Sequence, residues 1–263
     1  RVYGAIVELC QDFRTRYPLI VGEGNFGSIY DDPPASPRYT ECTLSAAGMA
    51  AADGRLSNLL VNGAHGPGVS IPPHNLGEVT AAALALLDDP ELSEADLLEI
   101  VPGPDYPTGG QVLDPRPLAD LYMTGRGTFV LEGSVHVEPP PRWRPSPMQW
   151  AGRVRDAFRG GSYFNRTAIE ESRGPRLVVT ELPYGVPRGW EGGLIDQVVE
   201  LVRSRRLPEI EDLTDQSDRA GMRLVLGLCE AADPDEALER LFEETDLRIT
   251  VNAELTVRVG GAA

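Results

Sequence analysis

At 263 residues the chain is long enough for one large domain or two modest ones, and 41% hydrophobic content supports real cores and excludes wholesale disorder. The longest apolar run, TAAALALL, is far too short to span a bilayer, and no basic-then-apolar leader opens the chain, so neither a membrane span nor a secretion signal is expected. The formal net charge is −16 and every basic residue is Arg, which argues against broad affinity for nucleic acid, because phosphate binding needs clustered cations.

In chain order, VYGAIVELCQDF repeats its apolar residues at helical spacing, and this mid-helix opening on Arg1 leads us to expect a piece of something longer. YPLIVGEGNFGSIYDDPPASPRYTECTLS then breaks into short extended pieces punctuated by Gly and Pro. Together the two suit the second half of a winged-helix unit. GMAAADGRLS reads as a boundary and NLLVNG as a buried strand or turn. HNLGEVTAAALALLDD predicts a helix capped by Asn75, and SEADLLEIV another, with Ser93 and Asp96 spaced as a capping box. VPGPDYPTGG cannot be helical. TFVLEGSVHVE alternates as one half-buried strand, followed by strands in PRLVVTELPY, MRLVLGLCE and LRITVNAELTVRV. GLIDQVVELVRSRRL is an amphipathic helix, and Asp233, Pro234 and Glu236 start a second one running through ALERLFEET. The fold class expected is α+β, with helices on one face of a mixed or antiparallel sheet.

Residues 139–176 interrupt this order with eight Arg against three acids, set among Pro, Trp, Phe and Tyr. The stretch is either a solvated surface insertion or a basic-aromatic contact surface for a nucleic acid or partner. Cys10, Cys42 and Cys229 form no CxxC pair, and His65, His74 and His136 complete no metal spacing, so free thiols are expected, with loop or capping roles for His65 and His74.

The chemistry centres on DDPPASPRYTE, residues 31–41. On residues alone, Tyr39 is either an ordinary aromatic at a strand start or a nucleophile displayed on a proline-stiffened loop. A phenol with a pKa near 10 needs activation at neutral pH, and a guanidinium such as Arg38 suits the charge of a phosphoryl transition state. Adjacent strand residues point to opposite faces, so Arg38 and Tyr39 reach one phosphate only if the backbone turns between them. Glu41 suits a structural contact better than a phosphate.

GNFGS (24–28), RYTE (38–41), NLLVNG (58–63), IPPHN (71–75), PGPDYPTGG (102–110), TGRG (124–127), TELPY (180–184) and SDRAGMR (217–223) occur together and in order. In that order they resemble the A subunit of bacterial type IIA topoisomerases, DNA gyrase and its topoisomerase IV counterpart. The resemblance covers nearly all of the chain except 139–176. It implies the latter part of a winged-helix, breakage-reunion domain over 1–56 and an α/β tower domain over 57–259, carrying the 139–176 insertion. It implies that Tyr39 attacks a DNA phosphodiester to form a 5′-phosphotyrosyl link, with Arg38 at the scissile phosphate and Gly27, Ser28, Thr40 and Asn62 at the DNA. It further implies Mg2+ held by a partner B subunit, ATP used by that same partner, an A2B2 assembly on double-stranded DNA, and a cytoplasmic location. The family's paired histidines fall ahead of Arg1, the segment between RYTE and NLLVNG is shorter than the family's, AHGPGVS lacks its wedging isoleucine, and Thr43 stands where it has Arg. The alternative expectation is therefore a catalytically incomplete fragment or paralogue that binds DNA or the B subunit without cleaving.

Overall fold

The computed structural model describes residues 2–29, 32–53, 72–140, 174–189, 192–218 and 221–255. NLLVNG with Asn62, His65 and most of the 139–176 insertion lie outside them. The chain divides into two compact units, residues 1–131 with 249–263, and residues 132–248.

In the first unit, α1 (Val2–Cys10) carries the opening apolar stripe and ends before QDF, which leaves the helix in a turn. The next segment supplies β1 (Ile20–Glu23) and β2 (Glu41–Leu44), an antiparallel pair with Ile20 opposite Leu44 and Glu23 opposite Glu41. The start of GMAAADGRLS, expected to be a boundary, falls within helix α2 (Ala46–Ala52). Its cap is Ser45, whose Oγ accepts the Gly48 N–H at 2.9 Å and donates to the Pro18 carbonyl at 2.7 Å. A Cβ at Gly48 would stand 2.0 Å from the Leu19 carbonyl oxygen, so the small residue lets α2 lie against the chain entering β1.

Helix α3 (Leu76–Asp88) begins where expected, with the Asn75 side chain accepting the Gly77 N–H, and the capping box of α4 (Glu94–Ile100) forms between Ser93 and Asp96. The PGPDYPTGG loop stays non-helical and is tied down by Arg16 Nε donating to Asp105 at 2.6 Å and by the Asp105 N–H donating to the Pro73 carbonyl. Helix α5 (Arg116–Thr124), hidden in the sequence by its flanking prolines, buries Leu118 and Leu121. β3 (Gln111–Val112), β4 (Arg126–Glu132) and β9 (Arg248–Glu254) form one sheet in the order β3-β4-β9.

His74 joins the start of α3 to α5. Burial lowers its pKa below the ordinary histidine value, so the ring is neutral. The Pro72 carbonyl, 2.9 Å from Nδ1, can only accept, which places the ring proton on Nδ1. Nε2 therefore accepts from the Tyr122 hydroxyl at 2.9 Å. Burial first, then the Glu78 carboxylate, push that phenol up to about 12, which keeps it protonated as a donor. The histidine is a structural link, in keeping with the loop or capping role expected of it.

The second unit is built on four antiparallel strands in the order β5-β6-β8-β7: β5 (Ser134–Glu138), β6 (Arg176–Glu181), β8 (Leu224–Leu228) and β7 (Ile210–Asp215). TFVLEGSVHVE, expected as one strand, is two in different sheets, β4 and β5, parted at Gly133. Alternation continues through the break, so it does not register as one. Of the two admitted sheet types, the antiparallel one is found. Leu177, Val179, Leu213, Leu224, Leu226 and Leu228 line one face and form a single buried cluster with α6 (Leu194–Arg203) and α7 (Pro234–Glu244). Each such leucine contributes ~2 kcal/mol by leaving water. Val178 and Val225, paired in register, are buried on the opposite face. α7 starts as its sequence requires, with the Asp233 carboxylate accepting from the Asp235 and Glu236 N–H groups. Among the described residues no helix is long and apolar enough to cross a membrane.

Gly48→Ala, normally favourable inside a helix, is expected to destabilise by ~1–3 kcal/mol because of the Leu19 carbonyl. Gly4→Ala in α1, where a Cβ meets nothing within 4 Å, should instead stabilise by ~0.5–1 kcal/mol. Denaturant melts of both variants check the reversal of sign. The lowered pKa of His74 means that its contribution to stability is complete above the ordinary histidine value, ~6.5, and is lost as pH falls from there through the lowered folded value. Wild type should lose stability between pH 7.5 and 5.5, and His74→Gln should lose less over the same interval, both read by denaturant midpoints.

Candidate nucleophile turn

The three prolines before Tyr39 do not lead straight into a strand. Pro37, Arg38 and Tyr39 form a single 3-10 turn, with the Tyr39 N–H donating to the Ser36 carbonyl at 2.9 Å, and only then does β2 begin. Pro37 at the first position presets the backbone for this turn. The turn answers the geometric objection to adjacent strand residues. It lets the Arg38 guanidinium carbon lie 5.7 Å from the centroid of the Tyr39 ring. The Tyr39 side chain is 72% exposed.

Three contacts fix the backbone beneath that exposed phenol. Gly24, with φ +110, passes so close that a Cβ there would lie 2.9 Å from the Tyr39 carbonyl oxygen and 3.2 Å from Thr40 Cγ2. Only glycine holds that φ without strain and leaves that gap. Tyr3 of α1 donates its hydroxyl to the Ala35 carbonyl at 2.7 Å. Its proton being used there, the Thr40 hydroxyl is the donor across the 3.1 Å to the Tyr3 oxygen, with the Pro37 carbonyl a weaker second acceptor at 3.4 Å. The buried Gln11 donates from Nε2 to the Phe26 carbonyl at 2.8 Å, and Phe26 is buried beside Tyr3, ring centroids 6.4 Å apart.

GNFGS forms the loop that these groups hold. The Gly27 N–H donates to the Asn25 side chain at 2.8 Å, and the Asn25 carbonyl accepts from the Ala35 N–H at 2.9 Å. Ser28 Oγ donates to the Asp32 carboxylate at 2.7 Å. The structure thus brings Tyr39, Arg38, Thr40, Gly27 and Ser28 into one loop system. The hydroxyls of Thr40 and Ser28 are engaged within the chain.

Sequence reasoning missed Tyr3 and Gln11. The available signal was the helical spacing of Tyr3, Val7 and Cys10, which places Tyr3 on the face turned to the hairpin. The distant motifs have structural work of their own. Arg188 is 7% exposed and ion-pairs with Asp215, while the Ser217 Oγ of SDRAGMR accepts the Arg223 N–H at 2.9 Å. Arg223 in turn reaches Glu138 at 2.8 Å.

Glu41 follows the turn and stands opposite Glu23, its cross-strand partner on β1. Among the described residues no three His, Cys, Asp or Glu side chains converge to hold a metal ion. The described residues therefore do not fit a metal site, and no step below is routed through a metal on this chain.

A family model for the A subunit of DNA gyrase/topoisomerase IV matches residues 1–53 and 53–262. The chain is 37% identical over 277 residues to the A subunit of DNA topoisomerase 4 from Synechocystis sp., covering 94% of this chain and 27% of that protein. It is 35% identical over 290 residues to the DNA gyrase A subunit of the same organism, covering 99% of this chain and 30% of that protein. To the DNA gyrase A subunit of Thermotoga maritima it is 33% identical over 284 residues, 97% of this chain and 31% of that protein. The chain thus spans less than a third of the length of these relatives, and by the extent of both kinds of match it belongs to the family of DNA gyrase and topoisomerase IV A subunits.

Proposed function

We propose that the protein containing this chain breaks and rejoins double-stranded DNA through Tyr39, as the A subunit of an ATP-hydrolysing type IIA topoisomerase. The observation that carries the reading is an exposed phenol on a backbone fixed from three sides, with a guanidinium beside its ring. The Tyr39 oxygen attacks phosphorus, the phosphorus bond to the deoxyribose 3′-oxygen breaks, and a 5′-phosphotyrosyl ester and a free 3′-hydroxyl result. Rejoining is the reverse attack by that hydroxyl, and the ester conserves the bond energy between the two steps. Arg38 offers two parallel N–H donors to the phosphate oxygens as charge develops on them. Thr40 is a positioning residue, tying the turn to α1, and lies beside the DNA path together with Gly27, Ser28 and Asn62.

In this reading residues 1–56 are the latter part of the breakage-reunion winged-helix domain and 57–259 the tower domain. A partner B subunit holds the Mg2+ and uses the ATP, the assembly is A2B2, and the location is cytoplasmic. When bound, the Mg2+ supplies charge neutralisation at the phosphate.

A second reading, a catalytically incomplete relative that binds DNA or the B subunit without cleaving, is favoured by the acidic groups around the turn. Glu23 faces Glu41, and Asp32 sits on Ser28. Such carboxylates oppose a phosphate unless cations offset them.

The full-length protein, mixed with a type IIA B subunit, Mg2+ and supercoiled DNA and trapped with detergent, is expected to give covalently attached linear DNA. Tyr39→Phe should abolish the adduct, and Arg38→Ala should lower the cleavage rate by ~10²–10³ with DNA affinity little changed. DNA affinity without any adduct from the full-length protein would select the second reading.

A further inference from the structure

The hairpin that carries Tyr39 also carries a thiol, and a second thiol reaches it from α1. Cys10 ends α1, Cys42 is the second residue of β2, and both are free. Cys42 lies directly opposite Gly22 of β1. Side-chain positions directly opposed across an antiparallel pair share one face, with Cβ atoms about 4.5–5.5 Å apart. Gly22 has no Cβ, and one built there would meet Cys10 Sγ at 2.4 Å and the edge of the Phe26 ring at 2.4 Å. The Cys10 sulfur, beside the Phe26 ring, therefore stands where the side chain of Cys42's cross-strand neighbour would have been. Cys42 is exposed and Cys10 half-buried. Burial, then the neighbouring Cys42 and Asp12, push the Cys10 thiol up. The third cysteine, Cys229, belongs to the other unit.

We propose that Cys10 and Cys42 are a redox pair that closes to a disulfide in the presence of a peroxide, clamping the end of α1 to the strand that leaves Tyr39. The exposed Cys42 thiolate attacks one peroxide oxygen, an S–O bond forms, the O–O bond breaks, and hydroxide leaves as water after taking the thiol proton. Cys10 then attacks the Cys42 sulfur, the S–S bond forms, and the sulfenic oxygen leaves as a second water with the Cys10 proton. Two thiols and one hydrogen peroxide give one disulfide and two waters, and two electrons pass from sulfur to peroxide. Cys10 is the resolving partner because its shielded sulfur meets solvent oxidant poorly yet stands against the strand opposite Cys42. The clamp does not depend on Tyr39 being a nucleophile. It adds a covalent tie to the hydrogen bonds by which Tyr3 already holds the same turn.

The test treats the full-length protein with equimolar hydrogen peroxide, alkylates the remaining thiols and maps tryptic peptides without reductant. The expected product links peptide 2–14 to peptide 39–55, disappears on reduction, and leaves Cys229 alkylated. In Cys10→Ser given at least two equivalents of peroxide, Cys42 should instead pass to sulfinic acid that reductant does not reverse. Native-state trypsin cleavage after the exposed Arg38 should slow several-fold on oxidation of wild type and not of Cys10→Ser. Equal irreversible oxidation of Cys42 in wild type and Cys10→Ser, or cross-links only between molecules, would overturn the pairing. An unchanged trypsin rate with the cross-link formed would overturn the clamp.

Discussion

The geometry of the turn depends on a close approach of two stretches of backbone, the chain at Gly24 and the carbonyl of Tyr39. A residue with a Cβ at position 24 would have to push the Tyr39 segment away. Because it does not, β1 and β2 can pair as the chain enters and leaves the loop, and the 3-10 turn is held against the GNFGS loop. The phenol is thereby turned outward from a backbone that has little freedom to follow it. Order of this kind, in place before a reaction partner arrives, is what makes a weak nucleophile useful.

Unit 132–248 and the segment 2–53 reach their order by different means. Unit 132–248 has an apolar interior in which three strands and two helices share one buried cluster, with Val135 of β5 packed against it. Among the described residues of 2–53 the buried apolar side chains are Val7 and Phe26, and these residues are held chiefly by hydrogen bonds from Tyr3, Gln11, Asn25 and Ser45 and by glycine packing. Polar ties are directional, so they fix the position of a backbone atom more sharply than a greasy contact does, at a modest net contribution of ~1 kcal/mol each. A segment built that way is easily displaced by one lost donor. Tyr3 and Gln11 matter for that reason.

Much of this was legible in the sequence wherever a local rule acts alone. The Ser93–Asp96 capping box, the Asn75 cap and the Asp233-Pro234 start all form as their residue types require. The failures have physical causes. AAGMAAA has no amphipathic stripe and reads as a linker, but Ser45 caps it and Gly48 docks it. The strand through Gly133 keeps its alternation while changing sheet, and β7, IEDLTD, is too acidic to look like a strand until β8 pairs with it. RYTE was visible as a possible site, but its 3-10 turn was not, because Pro37 permits several conformations and the choice is made by Ser36, Gly24 and Tyr3. Asn62 and the basic insertion carry expectations that the described residues do not reach.

Whether the Tyr39 phenol, held on this turn, takes the DNA phosphate is read from the attachment site itself. The trapped complex of the full-length protein is trimmed with nuclease, digested with trypsin and sequenced by tandem mass spectrometry. The expected result is a nucleotide mass on peptide 39–55 with the phosphate localised to Tyr39, and a nucleotide localised to any other residue, Tyr3 included, would rule Tyr39 out as the nucleophile.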